Sequence, residues 1–483
     1  MATTTSEFIT QCENEKLHLS GAIQPYGALI VVDHQQTVTH VSQNIGELWR
    51  GQVGDFLGKS APPEMTGLLA QLNQKRRYFH AELDGPQGTL DVLLTEGTNG
   101  QMLIELMPTR RNERLRSAVG MFPHNIATEE ALADYQKQLV DYIRKVTEAS
   151  RVMYYEFLPT GDGEVLAEAK RADIDGSYLQ LRFPASDIPQ IARRLYFTSE
   201  WRAIYDANVE SVAVVGVQQD DVPDLSQAEL RSVSPVHLHY LRNMGVSASV
   251  SWPIKGSDDL LALISLHHDE PKALDYGVLR HVSELVENYN FALREYRTEQ
   301  RIRLHDHLQA KFNHFHNRLL SGEHAENYWD DVSQWLLEEF DCDGVVLRTE
   351  HQQLTAGVTL EPDTIQALLA HMRQQGELAF ISDDLQHDVA AIDLTAAAGV
   401  AVLLNAPAPK HEVAFFAVRE AHMYEVAWGG RPDKPMESRD QHVPVSPRRS
   451  FEKWVEKRMA HSKPWDEHTR IKLMKLRLLL NEF

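Results

Sequence analysis

The chain has 483 residues, of which 43% are hydrophobic and 24% charged, and this composition is ordinary for a globular protein of about three domains. Its formal net charge of -21 argues against general binding to nucleic acids or anionic membranes, since both favour a positive protein surface. The two cysteines, Cys12 and Cys342, are too few for a disulfide framework or a four-cysteine zinc site.

The N-terminal segment MATTTSEFITQCENEK lacks the basic and apolar regions of a signal peptide. The longest apolar runs in the sequence, GALIVV and GVAVLL, have the length of strands and are far too short to span a bilayer. Together with the low cysteine content, these features predict a soluble protein of the reducing cytoplasm, with neither a membrane nor a nucleic acid as partner.

The sequence pattern of residues 1–112 predicts a small α+β domain. Two segments, VGDFLG and PEMTGLLAQLNQ, favour short helices. Strands are favoured where apolar runs are bounded by Gly, Pro, Asn or Asp, namely in GALIVVD, TVTHVSQNI, RYFHAELD, TLDVLLTEG and QMLIELMP.

Residues 113–296 predict a second domain, with a five- to six-stranded sheet and flanking helices. Thr128 and Glu130 offer N-terminal capping to a helix whose apolar residues recur at helical spacing. Two hairpins follow: RVMYYEFLPTGDGEVLAEAKR, with a Gly-Asp-Gly turn, and VSASVSWPIKGSDDLLALISLHHD, with the turn KGSDD.

Residues 276–320 carry one helical pattern that exceeds the normal length of a globular helix. We expect an interdomain spine there, and the pattern also suggests a dimer seam, although the polar segment RTEQR interrupts it.

The segment from about residue 321 to 483 repeats the order of helix, strands and helices. A segment at about 422–455 is poor in core residues and rich in Gly, Pro and charge, and compact domains rarely keep such a long irregular segment without a use for it. The final segment, HTRIKLMKLRLLLNEF, predicts a basic amphipathic helix, which we interpret as a connector to a further module.

The segment FPASDIPQIARRLY, residues 183–196, places Asp187 between two prolines. Each proline fixes φ and lacks an amide donor, and the residue before it is pushed toward extended geometry. Asp187 is therefore expected on a stiff, non-helical support, where its carboxylate and its backbone carbonyl can both face a partner.

Several chemistry-bearing residues have ordinary explanations when each is taken alone. In LRSVSPVHLHYLRNMGV, His237 follows a Ser-Pro helix start, and a single histidine there is more often a satisfied core residue than a functional one. Arg202 and Arg231 are surface cations by default, and Cys12 is by default an incidental thiol.

The sequence contains no nucleophile elbow, P-loop, dinucleotide-binding fingerprint or zincin helix. A hydrolase triad of Ser186, Asp187 and His237 has no support from the spacing. His267 and His268 are adjacent on a predicted strand, so their side chains point to opposite faces and cannot both bind one metal ion. We therefore expect neither a catalytic nor a metal site.

Four strings in order, a cysteine before IQPYG, then PASDIP, SPVHLHYLRNMGV and PRRSF, resemble the bacteriophytochromes. The resemblance covers essentially the whole chain. It implies an α+β protein of three tandem sheet-plus-helix domains, PAS (1–112), GAF (113–296) and PHY (297–483), joined by the long helical spine. It further implies an N-terminal figure-of-eight knot, with Ile23 at the crossing, and a PHY tongue at about 422–455.

The resemblance also implies a linear tetrapyrrole, biliverdin IXα, bound as a thioether to Cys12. Asp187, through its backbone carbonyl, and His237 would accept from the pyrrole N–H groups, and His267 would meet the ring D carbonyl. Arg202 and Arg231 would hold one propionate, and Ser249 and Ser251 would hydrogen-bond the other. The tyrosines of the set would pack around ring D. The implied binding residues other than Cys12 are Tyr155, Asp187, Ile188, Pro189, Tyr196, Arg202, Arg231, Ser234, His237, Tyr240, Ser249, Ser251 and His267.

The implied switch couples isomerisation at C15=C16 to the tongue. Arg448 would pair with the Asp187 carboxylate in the dark, and light would convert the tongue from hairpin to helix. The other tongue residues of the implied switch are Trp428, Gly429, Pro447, Ser450 and Phe451.

The implied function is a red/far-red photoreceptor that is not itself an enzyme, forms a homodimer through its long helices and signals to a C-terminal histidine kinase or diguanylate cyclase. The alternative is a non-photochemical sensor of haem or a cyclic nucleotide on the same folds, and a hydrolase is less favoured. Two departures from the family pattern are Tyr26, where many relatives have histidine, and the second histidine of the site helix, His239.

Overall fold

A computed structural model describes residues 16–72, 76–110, 122–123, 125–218, 220–320, 329–389, 392, 397–405, 413–432, 451–466 and 468–480. These residues fall into two compact units. The first lies within Met1–Tyr296 and Ala427–Trp454, and the second within Arg297–Val426 and Val455–Phe483.

The first sheet has seven strands in the order β1-β11-β3-β2-β6-β5-β4, in which β11 is Val212–Gly216. Its N-terminal elements are β1 (Ala22–Ile23), β2 (Ala28–Val32), β3 (Val38–Ser42), α1 (Ile45–Leu48), α2 (Val53–Phe56), α3 (Pro63–Leu72), β4 (Arg77–Gly85), β5 (Gly88–Glu96) and β6 (Met102–Pro108). The five predicted strands and two predicted helices of this region are confirmed. The strand β11 comes from much later in the chain, which the sequence did not indicate.

The second sheet has the order β10-β12-β13-β7-β8-β9-β19-β20. Residues 151–268 supply its first six strands, as predicted. The elements are α4 (Glu129–Thr147), β7 (Arg151–Phe157), β8 (Gly163–Lys170), β9 (Arg182–Phe183), α5 (Gln190–Leu195), β10 (Arg202–Ile204), β11 (Val212–Gly216), α6 (Pro235–Asn243), β12 (Ala248–Lys255), β13 (Leu260–His268) and α7 (Tyr276–Leu320).

The helix α4 forms where the sequence predicts it. The Thr128 hydroxyl accepts from the Ala131 amide at 3.2 Å, which satisfies one of the unpaired donors of the first turn. The helix ends at Glu148, whose φ of 55° is left-handed. Its buried residues, among them Leu139 and Ile143, recur at helical spacing and form one apolar face.

The strand β12 separates the core of the first unit from its candidate site. Val250 and Trp252 are buried in the core, and the Trp252 indole donates to the Leu279 carbonyl at 3.2 Å. Ser249 and Ser251 alternate with them, so their side chains lie on the opposite face of the sheet.

The helix α7 has the bounds that the apolar pattern predicts, residues 276–320, so the expected long helix is confirmed. Within the described part of the chain, no helix is both long enough and apolar enough to cross a membrane.

The second unit contains a five-stranded antiparallel sheet in the order β15-β14-β18-β17-β16. The remaining elements of the chain are α8 (Trp329–Phe340), β14 (Gly344–Arg348), β15 (Gln353–Gly357), α9 (Pro362–Gln375), β16 (Ala379–Ser382), α10 (Leu385–Asp388), β17 (Ala397–Leu404), β18 (Ala414–Glu420), β19 (His422–Gly429), β20 (Lys453–His461) and α11 (Thr469–Leu480). Two apolar clusters, one on each face of this sheet, form the core of the unit.

Candidate ligand-binding site

A cavity of about 210 Å³ opens in the first unit beside β12 and β13. Every described residue that the family resemblance implies for chromophore binding lines it: Tyr155, Asp187, Ile188, Pro189, Tyr196, Arg202, Arg231, Ser234, His237, Tyr240, Ser249, Ser251 and His267. The structure therefore brings the predicted set together around one space, while the role of each residue stays a prediction.

The Asp187 loop forms one wall of the cavity. Pro184 and Pro189 have φ values of -67° and -60° with extended ψ, as their rings require. Between them, Ala185–Asp187 makes a single 3-10 turn, closed by the Asp187 amide donating to the Pro184 carbonyl at 2.9 Å. The support is stiff as predicted, but this turn is helical rather than extended.

The Asp187 carboxylate faces the helix α6. Its Oδ2 accepts from the Tyr240 hydroxyl at 2.8 Å, and the Tyr240 ring is 6.0 Å from the His237 ring and nearly parallel to it. The aspartate, the tyrosine and the histidine therefore form one connected group at the cavity wall.

Two arginines, Arg202 and Arg231, also line the cavity. The guanidinium of Arg202 donates to the backbone carbonyls of Glu229 (3.1 Å), Arg231 (2.5 Å) and Ser232 (3.1 Å), so much of its fork is occupied by the chain itself. Sequence reasoning did not anticipate this structural use of Arg202.

Arg231 is in a different position, because its buried Nη1 has no hydrogen-bond partner. Burial, together with repulsion from Arg202, lowers its pKa to about 9. A buried cation without a hydrogen-bonded anion is costly, so this side of the cavity is suited to a ligand carboxylate.

The two cavity histidines are neutral at physiological pH. Burial lowers the pKa of His267 to about 3 and that of His237 to about 4, and nearby positive charge adds to both effects. His267 is 8% exposed, and its Nε2 lies 3.4 Å from the Ser265 hydroxyl. Neutral imidazoles can accept hydrogen bonds from ligand N–H groups or donate to a ligand carbonyl.

The rest of the lining is largely apolar and aromatic. Tyr155 is 8% exposed and packs in a cluster with Phe183. Burial raises the pKa of Tyr196, so its phenol stays neutral. A concave, largely apolar lining with a few polar groups at defined points is the usual form of a cofactor site.

The described part of the predicted tongue lies beside this site. Trp428 is 4% exposed and pairs in parallel with Arg182 of β9. A Cβ added to Gly429 would lie 2.6 Å from the Phe183 ring, which explains the glycine. The Phe451 ring meets Tyr240 edge-on, with ring centroids 5.1 Å apart.

Four predicted site residues, Cys12, Pro447, Arg448 and Ser450, lie outside the described residues. The two departures from the family pattern are described and do not line the cavity. Tyr26 stacks on Tyr205 with centroids 4.2 Å apart, and His239 is half-buried on α6.

Sequence reasoning missed several lining residues, among them Leu17, Met153 and Ser265. Ser265 carried a usable signal, since it precedes His267 by two residues on a strand and therefore shares its face. Leu17 carried none, because it reaches the cavity only through tertiary structure.

Models of known families match three successive parts of the chain. The phytochrome region matches residues 308–483, the PAS fold residues 12–78 and the GAF domain residues 132–292. The three sheets correspond to these domains, and the boundaries predicted from the sequence stay predictions.

Similar proteins extend over nearly the whole chain. The bacteriophytochrome of Pseudomonas aeruginosa is 29% identical over 100% of this chain and 67% of its own length. Cyanobacterial phytochrome B of a Nostoc species is 29% identical over 95% of this chain and 64% of its own. The chain thus spans about two thirds of the length of these relatives.

Two solved structures share the fold. A bacteriophytochrome from R. palustris has a TM-score of 0.83 at 24% identity, covering 98% of both chains. The phytochrome photosensory core module of Stigmatella aurantiaca has a TM-score of 0.80 at 23% identity, covering 97% of both chains. The fold and the order of the matched regions define a PAS-GAF-PHY sensory module. The chain belongs to the phytochrome family, as its photosensory core.

Proposed function

We propose that this chain is a red/far-red photoreceptor that holds biliverdin IXα in the cavity of its GAF domain. The observation that carries the proposal is the unpaired, buried Nη1 of Arg231 in a largely apolar cavity. An elongated, conjugated tetrapyrrole with carboxylate side chains satisfies both features, because its rings suit the aromatic wall and a propionate suits the arginine fork.

The polar residues of the cavity divide into two groups with different tasks. Arg231, with Arg202 beside it, would hold one propionate, and the hydroxyls of Ser234, Ser249 and Ser251 are available to the other. His237 and the Asp187 carbonyl would accept from pyrrole N–H groups, which must be satisfied when buried. These acceptors would favour the protonated, positively charged pigment.

The photochemistry itself, light absorption and isomerisation at C15=C16, would be supplied by the bound tetrapyrrole. The chain's contribution is to leave one ring mobile among Tyr155, Tyr196 and Tyr240 while His267 meets its carbonyl. The Asp187 carboxylate would pair with Arg448, and Tyr240 would link this pair to the ring pocket through its 2.8 Å hydrogen bond.

The tongue would be the bistable element that reads this change. Trp428, Gly429 and Phe451 contact residues of the GAF domain, and Pro447, Arg448 and Ser450 would exchange partners when the tongue becomes helical. The long helix α7 would carry the change to a C-terminal output module in a homodimer.

The N-terminal segment would thread a GAF loop as a knot at Ile23. Ile23 is fully buried, and its backbone forms an isolated antiparallel β-bridge with Arg231.

Attachment through Cys12 is supported by the position of Leu17. Leu17 lines the cavity, and Cys12 precedes it by five residues, which an extended chain spans in at most about 18 Å. Adding biliverdin should therefore give a covalent adduct with a strong red band that red light converts to a far-red band. The measurements are absorbance before and after illumination, and zinc-stained denaturing gels for the adduct.

The matched control replaces the thiol alone. Cys12→Ala should abolish the adduct. Cys342 should not replace Cys12, because burial raises the pKa of the Cys342 thiol to about 12 and the thiolate is the nucleophile. A spectrum identical to that of free biliverdin, or a red band that light does not change, would refute the photoreceptor, and an adduct on Cys12→Ala would refute only the attachment site.

The Asp187 carboxylate is expected to be required for the far-red state. Asp187→Ala removes the acceptor of the Tyr240 hydroxyl and the proposed partner of Arg448, so red light should produce little stable far-red absorbance while the red band is retained. Difference spectra under saturating red light measure this loss, and Arg194→Ala is the control because Arg194 is exposed and outside the cavity. A normal far-red state in Asp187→Ala would contradict the switch assignment.

A further inference from the structure

The hairpin turn of residues 161–163 and the nearby Arg193 do not line the cavity, yet both contact the loop that carries Asp187. Arg193 is 7% exposed, and its Nε donates to the Ile188 carbonyl at 2.8 Å. Its Nη2 donates to the Gly161 carbonyl at 2.6 Å. One buried guanidinium therefore joins the residue after Asp187 to the hairpin between β7 and β8.

The other end of the Asp187 turn is held by the same hairpin. Asp162 Oδ1 accepts from the Ala185 amide at 3.0 Å, and Ala185 is the first residue of the 3-10 turn. The second carboxylate oxygen of Asp162, Oδ2, accepts from the Thr160 hydroxyl at 3.0 Å, which fixes the orientation of the carboxylate. The turn from Ala185 to Ile188 is thus tied to the hairpin at both ends.

The third residue of the hairpin turn makes room for a cavity residue. A Cβ added to Gly163 would lie 1.9 Å from Cζ of Tyr155, so the Tyr155 ring occupies the space over this glycine. Any side chain at position 163 would push the ring away. One hairpin turn therefore determines the place of both Asp187 and Tyr155.

The chemistry of Arg193 suits this position better than that of lysine. The Arg193 guanidinium stacks on the Phe157 ring at 4.3 Å while two of its nitrogens serve carbonyls from different segments. A planar fork can do both at once, whereas an ammonium is a compact point donor. The neighbouring Arg194 is exposed and makes none of these contacts with the residues that the structure describes.

We propose that residues 161–163 and Arg193 are a positioning element that fixes the Asp187 turn and the Tyr155 ring at the cavity wall. This inference deepens the proposed function and rests on it, because it assigns the residues that align the aspartate and the tyrosine against the bound tetrapyrrole. The element acts through Asp187 and Tyr155 and does not itself touch the ligand.

The first test uses the ligand-free full chain and amide hydrogen exchange. Asp162→Ala removes the acceptor of the Ala185 amide, whose exchange should become about tenfold faster, the effect of losing one hydrogen bond. Arg193→Lys should accelerate exchange of the Asp187 amide to a similar degree. The matched control, Arg194→Lys, should change neither, and exchange in α4 and β12 should be the same in all three variants.

The second test uses the chain loaded with biliverdin. Arg193→Lys and Asp162→Ala should give a broadened, shifted red band and a smaller yield of far-red absorbance, whereas Arg194→Lys should match the unmodified chain. Unchanged local exchange in both variants, or faster exchange spread evenly over the domain with a normal spectrum, would overturn the positioning role. If the spectrum of free biliverdin is unchanged by every variant and by the unmodified chain, the proposed function fails, but the exchange data still decide whether the hairpin holds the Asp187 turn.

Discussion

Replacing Arg231 by methionine is expected to stabilise the ligand-free protein and to weaken tetrapyrrole binding. The Arg231 Nη1 is buried without a partner and its charge is repelled by Arg202, so exchanging the cation for an apolar side chain of similar length should raise the free energy of unfolding by about 1–3 kcal/mol. The same exchange removes the proposed partner of a propionate. Losing a charged hydrogen bond there should lower the affinity about 10- to 100-fold.

The opposite signs of these two effects distinguish a binding residue from a structural one. Urea unfolding of the ligand-free chain measures the first effect, and titration with biliverdin on a Cys12→Ala background measures the second. Biliverdin dimethyl ester has no carboxylate, so it should bind the unmodified chain weakly and discriminate little between the unmodified chain and Arg231→Met. The control Arg194→Met should change neither quantity, and a destabilised Arg231→Met variant with normal affinity would contradict the assignment.

The elements with strong local patterns could be predicted from the sequence. The 45-residue helix α7, the capped helix α4 and the two hairpins each have their signal inside one segment, in helical spacing, in Thr128 or in a Gly-containing turn. Local signals of this kind give the same structure in most tertiary contexts.

The strand pairing that joins distant segments could not be predicted. The strand β1 has two residues and pairs with β11, with Ile23 opposite Val212. Gln24 then bonds with the backbone of Ala203 and Leu230, far away in sequence. Such short strands have almost no periodicity of their own, so only the tertiary structure determines where they lie.

The candidate site shows the same division. The Pro-bracketed turn and the two-residue alternation of Ser249 and Ser251 follow from local chemistry, and the identity of the remaining cavity residues came from the family resemblance. The use of Arg202 as a donor to three carbonyls, and the support of Asp187 by Asp162, required the structure. A side chain's partner is set by packing between segments, which a single sequence does not state.

Two buried residues of the first unit should give the stability of the ligand-free protein opposite dependences on pH. Burial, with the positive charges of Arg151, His237 and His268 nearby, lowers the pKa of His267 to about 3. A histidine depressed below its ordinary value contributes stability that is present above about pH 6.5 and is lost as the pH falls. Between pH 6.5 and pH 4 this loss should reach about 3 kcal/mol, because each pKa unit corresponds to about 1.4 kcal/mol.

Glu105 should act in the other direction. It is fully buried and accepts from the amides of Leu230 (2.6 Å) and Glu229 (3.1 Å), and desolvation, with repulsion from Glu229, raises its pKa to about 7 although Arg77 and the two amides oppose this. A carboxyl raised above its ordinary value contributes stability that is present below about pH 4.5 and is lost as the pH rises through 7. Acidification from pH 7.5 to pH 4.5 should therefore regain about 3 kcal/mol from this residue.

These contributions nearly cancel in the unmodified protein, so each is measured by difference. Urea unfolding at several pH values between 4 and 8 gives the free energy of unfolding of the unmodified chain and of each variant. As the pH falls, the difference between the unmodified chain and His267→Gln should shrink. Over the same pH range, the difference between the unmodified chain and Glu105→Gln should grow. The slope of each difference against pH does not depend on a constant loss of stability caused by the glutamine itself. In Glu105→Gln, for example, the amide group of the glutamine would face the Glu229 N–H. Parallel curves for both variants would show that neither group changes its pKa on folding, and a constant difference for His267→Gln beside a sloping one for Glu105→Gln would show that the His267 pKa is unchanged on folding.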